Sequence, residues 1–119
     1  MVVDFSEPER MNLVGYFIRD LLRNNLSNTR HQVLARRLHG AFLFDASGME
    51  ITLDFRGDSI AIHQGGRGKI TATVRGDLST LLDIALGENY LKYLLTGRIK
   101  LSGNLFKLLK LIRILRTDR

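Results

Sequence analysis

The stretch GRIKLSGNLFKLLKLIRILR, from Gly97 to Arg116, changes its hydrophobic period part-way along. Arg98, Ile99, Lys100, Leu101 and Ser102 alternate polar and apolar side chains, the pattern of a strand with one buried face. Gly103 breaks that alternation, and Asn104 offers a side-chain oxygen to cap a helix. From Leu105 to Leu115 eight of eleven residues are apolar, the exceptions being Lys107, Lys110 and Arg113. A basic residue at every third position, continued by Arg116, lags the 3.6-residue turn, so the cationic stripe winds part-way round the helix. The stretch therefore predicts a strand followed at once by an apolar helix with basic residues, in a domain that mixes sheet and helix.

The charge of the chain is concentrated in the same region. Residues 97 to 119 hold seven Lys or Arg and one acid, Asp118, which accounts for the whole net charge of +6; the other 96 residues carry eleven bases and eleven acids. A nucleic-acid binder more often spreads its basic patch over sheet, loops and helix with aromatic residues interleaved. Basic residues on an apolar helix suit an anionic membrane surface instead. Lys107, Lys110, Arg113 and Arg116 are the expected membrane contacts.

Upstream, Asp77 can cap a helix over LSTLLDIALG that stops at Gly87, and Glu88 to Leu95 reads as a second short helix closed by Gly97. Before these helices the period is that of strands. Phe42 with Phe44, then Ile51, Leu53 and Phe55, then Ile60 with Ile62, then Ile70, Ala72 and Val74 each alternate with polar neighbours. Turn signals at Ser47-Gly48 and Gly57-Asp58 and a glycine-rich link from Gln64 to Gly68 separate them, so the expectation is a four-strand meander with that link as a hairpin. One apolar face per strand means an antiparallel sheet covered by helices on one side. Ser6 with Glu9, and Pro8 between them, have the form of a capping box, predicting a first helix that starts there and carries Met11, Val14, Phe17, Ile18, Leu21 and Leu22 on its apolar stripe. Thr29 with Gln32 predicts a second, short helix ending at Gly40.

A chain of 119 residues with no cysteine is read as one domain, 1–119, with helices over 1–39 and the sheet and C-terminal helices over 40–119. The lack of cysteine excludes thiolate chemistry and disulfides and fits a cytoplasmic protein. The N-terminus lacks a signal-peptide pattern, and no apolar run approaches the ~20 residues of a spanning helix. His31, His39 and His63 have no carboxylate at ligand spacing, so no metal is expected. Gly65-Gly66-Arg67-Gly68-Lys69 lacks the Ser or Thr and the helix that a phosphate loop needs after its lysine. With no convergent acid, base and nucleophile set, neither an enzyme nor a cofactor is expected.

The order of these elements resembles the sterol carrier protein type 2 family. The resemblance runs from about Leu38 to Ile114 and is sharpest at Gly97-Arg98-Ile99-Lys100-Leu101-Ser102-Gly103-Asn104, similar to the family's Gly-basic-apolar-Lys-apolar-x-Gly-Asp signature with Asn in place of the final Asp. Val74-Arg75-Gly76-Asp77-Leu78, with Leu81, Leu82 and Gly87, fits the family's helix before the last strand. The resemblance implies an α+β fold, a twisted, mainly antiparallel five-stranded sheet covered on one side by helices, with an apolar tunnel between the layers. It also implies a non-enzymatic lipid-binding module for an acyl, sterol-like or isoprenoid chain. Bacterial members include accessory carriers for ubiquinone biosynthesis, whose acidic-proline motif is replaced here by Glu88-Asn89-Tyr90.

The tunnel candidates are Phe42, Phe44, Leu53, Phe55, Ile62, Leu81, Leu82, Leu94, Phe106, Leu109 and Ile112, although for each residue taken alone plain core is the better reading. The expected partners are a lipid and an anionic membrane surface, which makes the protein peripheral. A second copy of the chain, or a lipid-metabolising enzyme docked on the C-terminal helix, is the alternative, and nucleic acid ranks below both.

Overall fold

The computed structural model describes residues 2–7 and 11–116. The chain runs β1 (Val2–Phe5), α1 (Leu13–Asn25), α2 (Thr29–Arg37), β2 (His39–Ala46), β3 (Met49–Arg56), β4 (Ser59–Gln64) and β5 (Ile70–Gly76). It continues through α3 (Leu78–Ala85), α4 (Tyr90–Leu95), β6 (Ile99–Gly103) and α5 (Leu105–Leu115). The strands form one sheet in the order β1-β4-β3-β2-β5-β6. This is the α+β architecture expected, with six described strands where five were expected.

The additional strand is β1, which pairs in parallel with β4 and seats Val3 opposite Ile60. It occupies part of the segment read as leading into the first helix. That helix begins at Leu13, where Asn12 accepts a hydrogen bond from the Gly15 N–H at 3.1 Å. Pro8 and Glu9, on which the expected capping box rests, lie outside the described residues. The second helix likewise takes its cap from Asn28, one residue before Thr29.

The meander also needs correction. Strands β2, β3 and β4 do pair antiparallel in succession, but β5 lies on the far side of β2 and runs parallel to it. The glycine-rich segment after Gln64 is thus a crossover past two strands and not a hairpin. It is pinned to the face opposite the helices: the Thr52 hydroxyl donates to the Gly65 carbonyl at 2.6 Å and accepts from the Arg67 N–H at 3.1 Å. Alternation along β3 puts Thr52 on the other face from Ile51 and Leu53, and the loop leaves Thr52 fully buried.

On the helix side Phe42, Phe44, Ile51, Leu53, Phe55, Ile60, Ile62, Ala72 and Val74 form one core with Val14, Ile18 and Leu22 of α1 and Leu108, Leu111 and Ile114 of α5. The eight apolar residues of α5 divide between core and surface. Leu108, Leu111, Ile112, Ile114 and Leu115 are buried in the chain's own core, while Leu105, Phe106 and Leu109 stay outside. No helix among the described residues is long and apolar enough to cross a membrane.

Candidate functional site

At one end of this core the layers do not close completely. An apolar cavity of about 50 Å³ lies between β2, β5 and β6 on one side and α1, α3, α4 and α5 on the other. The α1 wall is Val14, Phe17, Ile18 and Leu21, and the sheet contributes Phe44, Ala46, Val74, Ile99 and Leu101. Leu78, Leu81, Leu82, Ile84 and Ala85 of α3, Tyr90 of α4, and Ile112 and Leu115 of α5 close it, with Arg116 beside them. At roughly 10–15 Å³ per water the free space is that of a few water molecules. A chain of many methylenes therefore enters only if a wall moves.

The short helices α3 and α4 are the wall with the least attachment to the main core. Ile84, Tyr93 and Ile99 make a small cluster of their own, joined to it by Leu81, Tyr90 and Leu101. The N-terminus of α3 is held more firmly. Asp77 Oδ1 accepts from the Thr80 N–H at 2.7 Å, and the Leu78 N–H donates to the Ser47 hydroxyl at 2.9 Å. The hydrogen bonds that Thr80 gives through its hydroxyl and its N–H hold the Asp77 carboxyl below the usual aspartate range, as expected for a carboxylate capping a helix. Between the two helices the Tyr93 hydroxyl donates to Asp83 at 3.2 Å.

Of the expected tunnel residues, Phe44, Leu81, Leu82 and Ile112 line this cavity. Phe42, Leu53, Phe55 and Ile62 lie in solid core, where Phe42 and Phe55 meet edge to face at 5.7 Å between ring centres. Leu94, Phe106 and Leu109 are on the surface, Phe106 at 84% exposure. Helical geometry explains the last two: Leu108, Leu111 and Ile112 take the inward face of α5, which turns positions 106 and 109 outward. The α1 wall was absent from the expected set, although its stripe at positions 14, 17, 18 and 21 is plain in the sequence.

The basic stripe is also divided. Lys110 and Arg113 are exposed, whereas Lys107 donates from Nζ to the His39 carbonyl at 2.9 Å. Arg116 turns away from the stripe toward the cavity, and its Nη2 donates to the Gly87 carbonyl at 2.6 Å and to the Glu88 carbonyl at 3.3 Å. Its guanidinium carbon lies 5.9 Å from the centre of the Tyr90 ring.

No group of three or more His, Asp or Glu among the described residues could hold a metal ion. His31 is buried with Nδ1 3.0 Å from the Asn25 carbonyl. On the opposite face of the sheet His63 sits beside the crossover, where burial first and the Arg67 charge second push its imidazole below the ordinary range.

The sequence model of the SCP-2 sterol transfer family matches residues 18–116. The chain belongs to this family. It is accordingly a lipid-binding domain of the SCP2 type, and its fold agrees with solved structures of that type. A structure described as the UbiJ-SCP2 ubiquinone synthesis protein superposes with a TM-score of 0.70 at 14% identity, over 83% of this chain and 89% of that one. The sterol carrier protein domain 2 of Helicoverpa armigera gives 0.70 at 21% identity over 96% and 97% of the two chains. Palmitated SCP2L2 of Aedes aegypti gives 0.55 at 24% identity over 70% and 78%. At such identities the likeness is one of fold. No curated protein matches the chain by sequence.

Proposed function

We propose that this SCP2 domain is a non-enzymatic lipid carrier that takes an apolar chain into the cavity between sheet and helices. The observation that carries the reading is the cavity lining, which is apolar or aromatic apart from Arg116. A soluble domain gains by burying such side chains, at roughly 2 kcal/mol each, so a core that stops short of closing is suited to an apolar guest. The ubiquinone-synthesis title of one relative and the palmitate of another support isoprenoid and acyl chains as guests. Among the described residues that line the cavity there is no nucleophile, base and acid set.

Loading at an anionic bilayer fits the outer surface of α5. Phe106, Leu105 and Leu109 are exposed apolar residues on the same helix as the exposed Lys110 and Arg113, a combination that binds interfaces. Each cation contributes about 1 kcal/mol near an anionic surface. Changing Lys110 and Arg113 together to Gln should then weaken binding to phosphatidylserine vesicles about thirtyfold at low salt. Unchanged vesicle binding would remove the membrane step.

The carrier reading is tested by native mass spectrometry of the protein purified from its own host, followed by organic extraction of the same sample. A stoichiometric apolar ligand is expected, and a clean ligand-free dimer would sink the reading.

A further inference from the structure

A single cation stands beside an otherwise apolar cavity, and its hydrogen bonding is incomplete. Arg116 lines the cavity together with Leu82, Ala85 and Tyr90. Its Nη2 is fixed by the Gly87 and Glu88 carbonyls, while its Nε is buried with no hydrogen-bond partner. No carboxylate among the described residues pairs with it. The Glu88 side chain lies 4.0 Å from Lys92, and Asp83 accepts from the Tyr93 hydroxyl. A buried N–H left unpaired is costly, and it belongs to a half-buried guanidinium that borders apolar walls. The two carbonyls supply partial negative charge and hold the group in place, but they cannot neutralise it. Its planar fork is shaped for a carboxylate or a phosphate.

We infer that Arg116 is the headgroup anchor of the cavity, so that the guest is a single-headed anionic amphiphile, a carboxylate or phosphate ester of a long apolar chain. The inference rests on the lipid-carrier reading and narrows it. A neutral sterol or a free quinone would occupy the apolar walls and bring no anion to the unpartnered Nε. An anionic head at Arg116 would complete the hydrogen bonding of Nε and place its chain along Leu82, Ala85 and Ile112. The anchor also joins three elements at the cavity edge, because Arg116 follows α5, Gly87 and Glu88 follow α3, and Tyr90 opens α4. Filling the anchor would thus report to the two short helices that wall the cavity.

The test compares ligands of one chain length on the intact protein: laurate, dodecyl phosphate, 1-dodecanol and, without a chain, inorganic phosphate, each titrated calorimetrically below its micelle concentration. The expected result is that laurate or dodecyl phosphate binds at least about tenfold tighter than dodecanol, the scale of a charge-assisted hydrogen bond. In Arg116→Met that preference should vanish with dodecanol binding retained, and in Arg116→Lys part of it should return. Equal binding of laurate, dodecyl phosphate and dodecanol to the unmodified protein overturns the anchor and leaves the carrier reading standing, and needs no variant to fold. Inorganic phosphate binding as tightly as dodecyl phosphate overturns the amphiphile. Binding of none of the four overturns the carrier reading and the anchor together.

Discussion

Changing Gly103 to alanine should cost the fold about 3 kcal/mol or more, read as a fall in the urea midpoint with an unchanged slope. Gly103 ends β6 opposite Ala72 at a φ of +88°. A side chain in that region of backbone space costs about 1–3 kcal/mol by itself. A second cost comes from the neighbours. A Cβ here would overlap the carbonyl oxygen of Thr71 and lie 2.7 Å from the Cα of Ala72. Both are backbone atoms of β5, so neither can swing aside as the end of a side chain does. Separating the strands would also break the bond from the Asn104 N–H to that same Thr71 carbonyl, which measures 2.9 Å. Forcing atoms into a packed site typically costs a further 1–3 kcal/mol. Total stability of ordinary domains is only about 5–15 kcal/mol, so the loss is a large share of it.

Gly97→Ala separates the two costs. Gly97 also has a positive φ, +77°, but nothing lies within 4 Å of where its Cβ would stand. It should lose only the conformational part. Equal losses at positions 97 and 103 would refute the close approach of β6 to β5 as the reason for glycine at 103.

The local chemistry of this region was legible because each signal acts within a few residues. Asn104 caps α5 through the Lys107 N–H at 3.2 Å, and Asp77 caps α3, both as the sequence implies. Alternation along β2 to β5 likewise names the residues that face the helices, and Phe42, Phe44, Ile51, Leu53 and Val74 do so. Partner choice is another matter. Alternation states which face a residue takes and nothing about which strand lies beside it. The parallel pairing of β5 with β2 is reached through a crossover loop that bonds to Thr52, 13 and 15 positions away in the chain. Nor could four residues of β1 announce themselves, since Val3 and Phe5 alone give too short a period.

The cavity was legible to the same depth. A pattern of faces assigns Phe44 and Phe42 to the same layer, yet only Phe44 reaches the cavity. The difference lies in where α3 and α4 cover the sheet. The direction of Arg116 was hidden for a related reason. Its place in the every-third-residue series suggests an outward cation, but it lies one residue beyond α5 with an extended backbone, at a ψ of 136°. The helical period no longer decides where its side chain points.

Asn25 secures that turn of the chain, and Asn25→Ala should destabilise the protein by about 2–6 kcal/mol while weakening anionic ligands more than neutral ones. Asn25 is the last residue of α1 and is buried. Its Nδ2 donates to the carbonyls of Ile114 and Leu115, each at 3.0 Å. These are among the last carbonyls of α5, which have no partner within their own helix. Alanine would leave both buried acceptors without that donor, at about 1–3 kcal/mol for each group. Asn25→Asp keeps the volume but sets oxygens against oxygens, and should be worse than alanine. Leu115 precedes Arg116 directly, so freeing its carbonyl loosens the residue that presents the guanidinium to the cavity. The expected record is therefore double: a lower thermal midpoint in both variants and, in Asn25→Ala below that midpoint, a smaller preference for laurate over dodecanol. A midpoint within a few tenths of a degree of the unmodified protein would mean that the end of α5 is secured by apolar packing of Ile114 and Leu115 alone.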